Sequence, residues 1–110
     1  MTLVHIVLFK LKSSLSQDEK KAVCDDMLNL KDTCIHPTSN KTYILSASGG
    51  VDNSPEGAQG GFTHGFVVEF ASKEDRDYYV SQDPIHQAFG QKNGSKWDDV
   101  RVIDYEKGIF

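Results

Sequence analysis

The chain has 110 residues, a net charge of −4 and 38% apolar content, the balance of one small globular domain rather than a disordered or membrane-embedded chain. Its acidity and the absence of any basic run argue against nucleic acid or a membrane as a partner. No apolar stretch approaches the length of a membrane span. Met1-Thr2-Leu3-Val4-His5 lacks the basic start and cleavage signature of a signal peptide, so a cytoplasmic protein is expected.

Residues 3–12 read as a strand with two usable faces. Leu3, His5, Val7, Phe9 and Leu11 alternate with Val4, Ile6 and Leu8, so both faces need covering. Ser16-Gln17-Asp18-Glu19 is a capping box, and the helix after it carries Val23, Met27, Leu30 and Cys34 at helical spacing. That stripe reads as core, and His36-Pro37 stops the helix. Cys24 and Cys34 lie roughly 15 Å apart along one helix, too far for a disulfide, and read as small buried hydrophobes.

Residues 41–46 predict a short second strand. Residues 48–61 contribute five glycines and a proline, without the lysine and following helix of a phosphate-binding loop. They are expected to form a mobile loop, a candidate lid. Residues 62–70 form the third strand, with Phe62, His64, Phe66, Val68 and Phe70 on one face. Ser72 caps a second helix that runs to about Ser81.

Asp83-Pro84 restarts a helix that runs to about Gly90, with Asp83 as N-cap and Pro84 in the first position. Residues 97–105 close the chain as a strand, with Val100, Val102 and Asp104 opposite Trp97, Arg101, Ile103 and Tyr105.

Strand, helix, strand, strand, helix, strand is the α+β, ferredoxin-like βαββαβ order, a four-stranded antiparallel sheet with helices on one face. Val7, Phe9, Phe66, Val68, Val100 and Val102 are expected on the other face. An apolar patch of that kind predicts a homodimer that closes a barrel around an internal pocket.

The candidate chemistry centres on His86, placed in the first turn of its helix, where the dipole disfavours the imidazolium. A neutral imidazole there is a potential general base. Asp104, at the end of the expected pocket face, would orient His86 and raise its basicity. Tyr78 and Tyr79 diverge by about 100° on their helix, so only one reaches the pocket. Tyr79 would donate to a developing oxyanion. His5 and His64 share the pocket face, but no pair of histidines has metal-ligand spacing, and no metal is expected.

Val4-His5-Ile6-Val7-Leu8-Phe9-Lys10, Gly61-Phe62-Thr63-His64, Phe70-x-Ser72-Lys73-Glu74, Pro84-Ile85-His86 with Phe89, and Asp104-Tyr105 occur in an order that resembles the stress-responsive A/B barrel (Dabb) family of dimeric α/β-barrel proteins. The resemblance spans nearly the whole chain outside the loop of residues 46–60 and implies a single such domain over residues 1–110. Phe89-Gly90, Trp97 and Asp104-Tyr105 further resemble the family's plant olivetolic acid cyclases. That resemblance implies a cofactor-independent aldol cyclisation of a polyketide, with His86 and Tyr79 catalytic, Asp104 orienting the histidine and His5 in the pocket. Counted back from His86, the tyrosine position falls on Val80, because one extra residue precedes Pro84.

The leading expectation is therefore a lyase or cyclase acting on a hydrophobic small molecule. Its substrate pocket would be lined by His5, Val7, Phe9, His64, Phe66, Val68, Phe89, Trp97, Val100 and Val102. The alternatives are a non-catalytic stress or defence protein that binds a hydrophobic ligand, and a cofactorless monooxygenase on the same fold.

Overall fold

The computed structural model describes residues 2–110. Its strands are β1 (Leu3–Leu11), β2 (Ile44–Val51), β3 (His64–Phe70) and β4 (Trp97–Glu106), and its helices are α1 (Gln17–Thr33), α2 (Lys73–Ser81) and α3 (Pro84–Asn93). The strands form one antiparallel sheet in the order β2-β3-β1-β4, the ferredoxin-like arrangement.

The helix starts follow the sequence signals. Ser16 Oγ accepts from Glu19 N at 3.1 Å while Glu19 Oε1 accepts from Ser16 N at 3.0 Å, satisfying two otherwise orphaned donors. Ser72 caps α2 through Asp75 N, and Asp83 caps α3 through Ile85 N. α1 ends at Thr33 with Cys34 as its C-cap, three residues before Pro37. α3 continues past Gly90 to Asn93, whose buried side chain ties the helix to Asp26 on α1.

The glycine-rich segment departs from its expectation. β2 begins at Ile44 and runs through Ser48-Gly49-Gly50-Val51, paired with β3 as Ala47↔Val68, Gly49↔Phe66 and Val51↔His64. The glycine is what allows this. A Cβ at position 49 would lie 2.1 Å from the Phe66 ring, so only a residue without a side chain lets the ring cross β2 there. The loop after β2 is held by Asp52, which accepts from Ser54 N and Gln59 Nε2, and by Thr63 N donating to Phe9 O. It lies beside Leu8, Arg101 and Ile103 on the outer side of the sheet and contributes nothing to the main pocket, so it is not that pocket's lid.

The two sheet faces separate as the alternation predicts, but their partners are exchanged. Val7, Phe9, Phe66 and Val68 are buried in the core with α1 residues Val23, Met27 and Leu30, not on the outer face. β1 is apolar on both sides, so parity alone cannot say which side takes the helices. The aromatic, larger side does. The face left outside carries Ile6, Leu8, Val67, Ile103 and Tyr105, aligned by Ile6↔Val67 and Ile6↔Ile103, with Ile103 64% exposed.

Candidate functional site

A cavity of about 600 Å³ opens on the helix side of the sheet, between β1 and β4 below and α2 and α3 above. It lies within the single chain, on the face opposite the one expected to close a barrel. β4 is an edge strand not fully covered by helix. Val100 and Val102 share a face with Phe9 and Val7 through the pairs Phe9↔Val100 and Val7↔Val102, and the incomplete cover leaves them substantially exposed. They form the cavity's open side.

Register also delivers Trp97. Simple alternation would put it with Arg101 and Ile103. A bulge skips Asp98, pairing Lys10 with Asp99 and Leu11 with Trp97, and this turns the indole to the pocket side. It stacks on Phe9 with centroids 4.6 Å apart, and Phe89 completes an aromatic end.

The polar end is built from α2 and α3. Tyr79, 0% exposed, stacks on His86 with centroids 3.9 Å apart and planes 26° from parallel. Tyr78 turns instead toward His36 and Tyr43. The extra residue before Pro84 does not displace the phenol: Tyr79 stacks on the imidazole, while Val80 lines the cavity beside it. Tyr79 Oη and His86 Nδ1 are both buried and neither has a hydrogen-bond partner in the protein. Burial pushes the Tyr79 phenol well above its ordinary range, so it stays protonated. Burial also lowers the His86 pKa, opposed by the Tyr79 backbone carbonyl, so the imidazole is neutral near pH 7.

Asp104 does not orient His86. Its Oδ1 accepts from His5 Nδ1 at 2.7 Å, and its Oδ2 accepts from Arg76 Nη1, also at 2.7 Å. The cause is register, because His5 and Asp104 lie directly opposite each other on β1 and β4. The carboxylate can only accept, so it takes the hydrogen bond from His5 Nδ1–H and fixes the orientation of the ring. Arg76 is held in turn by Asp77, accepting from Nε at 2.8 Å.

Of the residues expected in the pocket, His5, Val7, Phe9, Tyr79, His86, Phe89, Trp97, Val100, Val102 and Asp104 line it. His64, Phe66 and Val68 do not. Phe66 and Val68 are core, and His64 Nδ1 sits 2.9 Å from Thr63 Oγ1, its pKa lowered by burial. The sequence reading missed Arg76, Asp77, Met27, Val80, Ser81 and Gly90. Arg76 was within reach: it precedes Tyr79 by three residues on α2 and so shares its face. Among the described residues, no three His, Cys, Asp or Glu side chains converge as metal ligands.

Fold and pocket define a ferredoxin-like α+β domain with an apolar cavity closed by a phenol and two imidazoles. A sequence profile of the Stress responsive A/B Barrel Domain (Dabb) matches residues 3–107, and the chain belongs to that family. A search among curated proteins gave no match. Among solved structures, the crystal structure of At3g17210 from Arabidopsis thaliana is similar at 28% identity and a TM-score of 0.83, covering 98% of this chain and 97% of that one. Hydroxynitrile lyase from Passiflora edulis is similar in fold, with 24% identity, a TM-score of 0.83 and coverage of 99% and 96%. A dimeric ferredoxin-like protein of unknown function from Jannaschia sp. shares the fold at 20% identity and a TM-score of 0.74, covering 96% and 99%.

Proposed function

We propose that this protein is a cofactor-independent enzyme that makes or breaks a carbon–carbon bond beside a carbonyl group, of the aldol-type polyketide-cyclase kind. The observation that carries the reading is the pair of buried, unpartnered polar atoms, Tyr79 Oη and His86 Nδ1, on two residues that line an otherwise largely apolar cavity. A buried polar atom without a partner costs about 1–3 kcal/mol, and a ligand that supplies the missing partners recovers it.

In this reading His86 Nδ1 takes a proton from the carbon between two carbonyls. Tyr79 Oη donates to the enolate oxygen as charge develops there. The enolate carbon attacks a further carbonyl of the same chain and forms the ring bond, and the new alkoxide takes the proton back from the His86 imidazolium. Aldol loss of water then gives the unsaturated ring. The cavity's volume suits a ligand of drug-like size. Phe9, Phe89 and Trp97 receive its apolar part. Asp104 and Arg76 act through His5, which they hold at the cavity wall, and are positioning residues.

The Passiflora neighbour is named as a lyase, and cyanohydrin cleavage would ask the same of the two groups: proton transfer and stabilisation of charge beside a carbonyl carbon. The test is turnover of a β-polyketo acyl substrate and, separately, of an aromatic cyanohydrin, each followed by mass spectrometry. Cyclised product that disappears in His86→Ala supports the reading. Aldehyde and cyanide alone would move it to the lyase reaction. Ligands that bind without changing would leave a non-catalytic carrier.

We also propose that the outer sheet face, with Ile6, Leu8, Val67 and Ile103, pairs with a second copy. Its exposed apolar surface and the dimeric Jannaschia neighbour support this.

A further inference from the structure

Behind the Tyr79–His86 pair lies a second group of ionisable side chains with no part in the chemistry above. Asp83 is 1% exposed, yet it carries three attachments. Its Oδ1 accepts from Ile85 N and caps α3, and its Oδ2 accepts from the hydroxyl of Tyr43. Its own N–H donates to Tyr78 O at 2.9 Å, at the end of α2. Cys34, the C-cap of α1, packs against the same carboxylate, and its thiol is pushed up to about 12 by burial first and the Asp83 charge second.

Capping alone does not explain this residue. Serine or asparagine would cap α3 as well, without placing a carboxylate in the core. The placement supplies the further reason. Only Gln82 and Asp83 separate α2, which carries Tyr79, from α3, which carries His86 three residues past Asp83. The angle between two such short helices sets whether the two rings stack. Tyr43 lies at the entry to β2, in the same core cluster as Phe70, and so ties that joint to the sheet.

We infer that Asp83, anchored by Tyr43, is the positioning residue for His86: it fixes the α2–α3 joint so that the imidazole lies against Tyr79 at the cavity wall. The inference rests on the proposed role of His86. Its electrostatics act in the same place. His86 is faced by Asp83 from its own N-cap, Tyr79 from α2, His5 from β1 and Cys34 from the end of α1. The carboxylate opposes the effect of burial on the imidazole.

The experiment is NMR of the histidine ring protons in wild type, Tyr43→Phe and Asp83→Asn, with Val23→Ala as a core variant away from the joint. Stacking on Tyr79 shifts the His86 ring protons upfield in wild type. Both joint variants should move them back toward free histidine, while Val23→Ala leaves them in place at a comparable loss of Tm. Tyr43→Phe keeps ring and cap, so it keeps the test alive if Asp83→Asn does not fold. His86 signals unchanged in Tyr43→Phe, or moved equally by Val23→Ala, would overturn the inference. Displaced signals in a protein whose wild type turns over no carbonyl substrate would uphold the joint and count only against the proposed chemistry.

Discussion

Tyr79 and His86 are stacked at 3.9 Å with the phenol oxygen and one imidazole nitrogen both buried and unpartnered. A fold optimised for stability alone would not keep both. Tyr79→Phe removes the unsatisfied hydroxyl and keeps the stack, so it should raise stability by about 1 kcal/mol while abolishing the oxyanion donor. Calorimetry and a turnover assay on the same sample check this. A lowered Tm would mean that the hydroxyl has a partner.

Asp104→Asn should act on His5 and not on His86. In wild type, the His5 Nδ1 proton held at 2.7 Å by the carboxylate should resonate far downfield. The variant should lose that signal, release Arg76 and leave the His86 ring protons where they were. Loss of the His86 signature instead would restore the Asp104–His86 pairing expected from sequence.

Stability should fall as the solution is acidified below about pH 6.5, the ordinary histidine range. Burial lowers the pKa of both His86 and His64, so the unfolded chain binds more protons than the folded one in that window. Stability therefore rises with pH through it and is lost as pH falls toward the folded values. Urea titrations at pH 7.5 and 5.5 read the difference, and His86→Phe should flatten part of it. A pH-independent midpoint would mean that neither ring is held neutral.

Ile103→Asp places a charge at the centre of the exposed outer face without touching the core. It should yield a folded monomer in analytical ultracentrifugation, where wild type is expected to sediment as a dimer. A wild-type monomer would remove the pairing proposal.

The element order and helix caps were legible because they depend on local signals: capping boxes, proline, alternation. The strand hidden in Ser48-Gly49-Gly50-Val51 was not, because its glycine answers to the ring of Phe66, seventeen positions away in sequence and brought opposite only by strand pairing. The same limit explains Asp104. Strand parity put it correctly on the pocket face, but its partner is set by cross-strand register, which made His5 its neighbour. Trp97, expected in the pocket, needed a bulge to arrive there. His86 and Tyr79 were readable as chemistry-bearing residues, whereas their contact depends on a two-residue joint between helices that no local pattern encodes.

Proton abstraction from carbon by His86 can be tested without knowing the natural substrate. A β-diketone probe in D₂O exchanges its α-protons for deuterium at a rate that ¹H NMR follows directly. Wild type should accelerate the exchange, Tyr79→Phe should slow it, and His86→Ala should lower the catalysed rate by roughly 10²–10⁴-fold, the range of a lost general base. Exchange no faster than in buffer, or equally fast with His86→Ala, would show that His86 is not a base toward carbon.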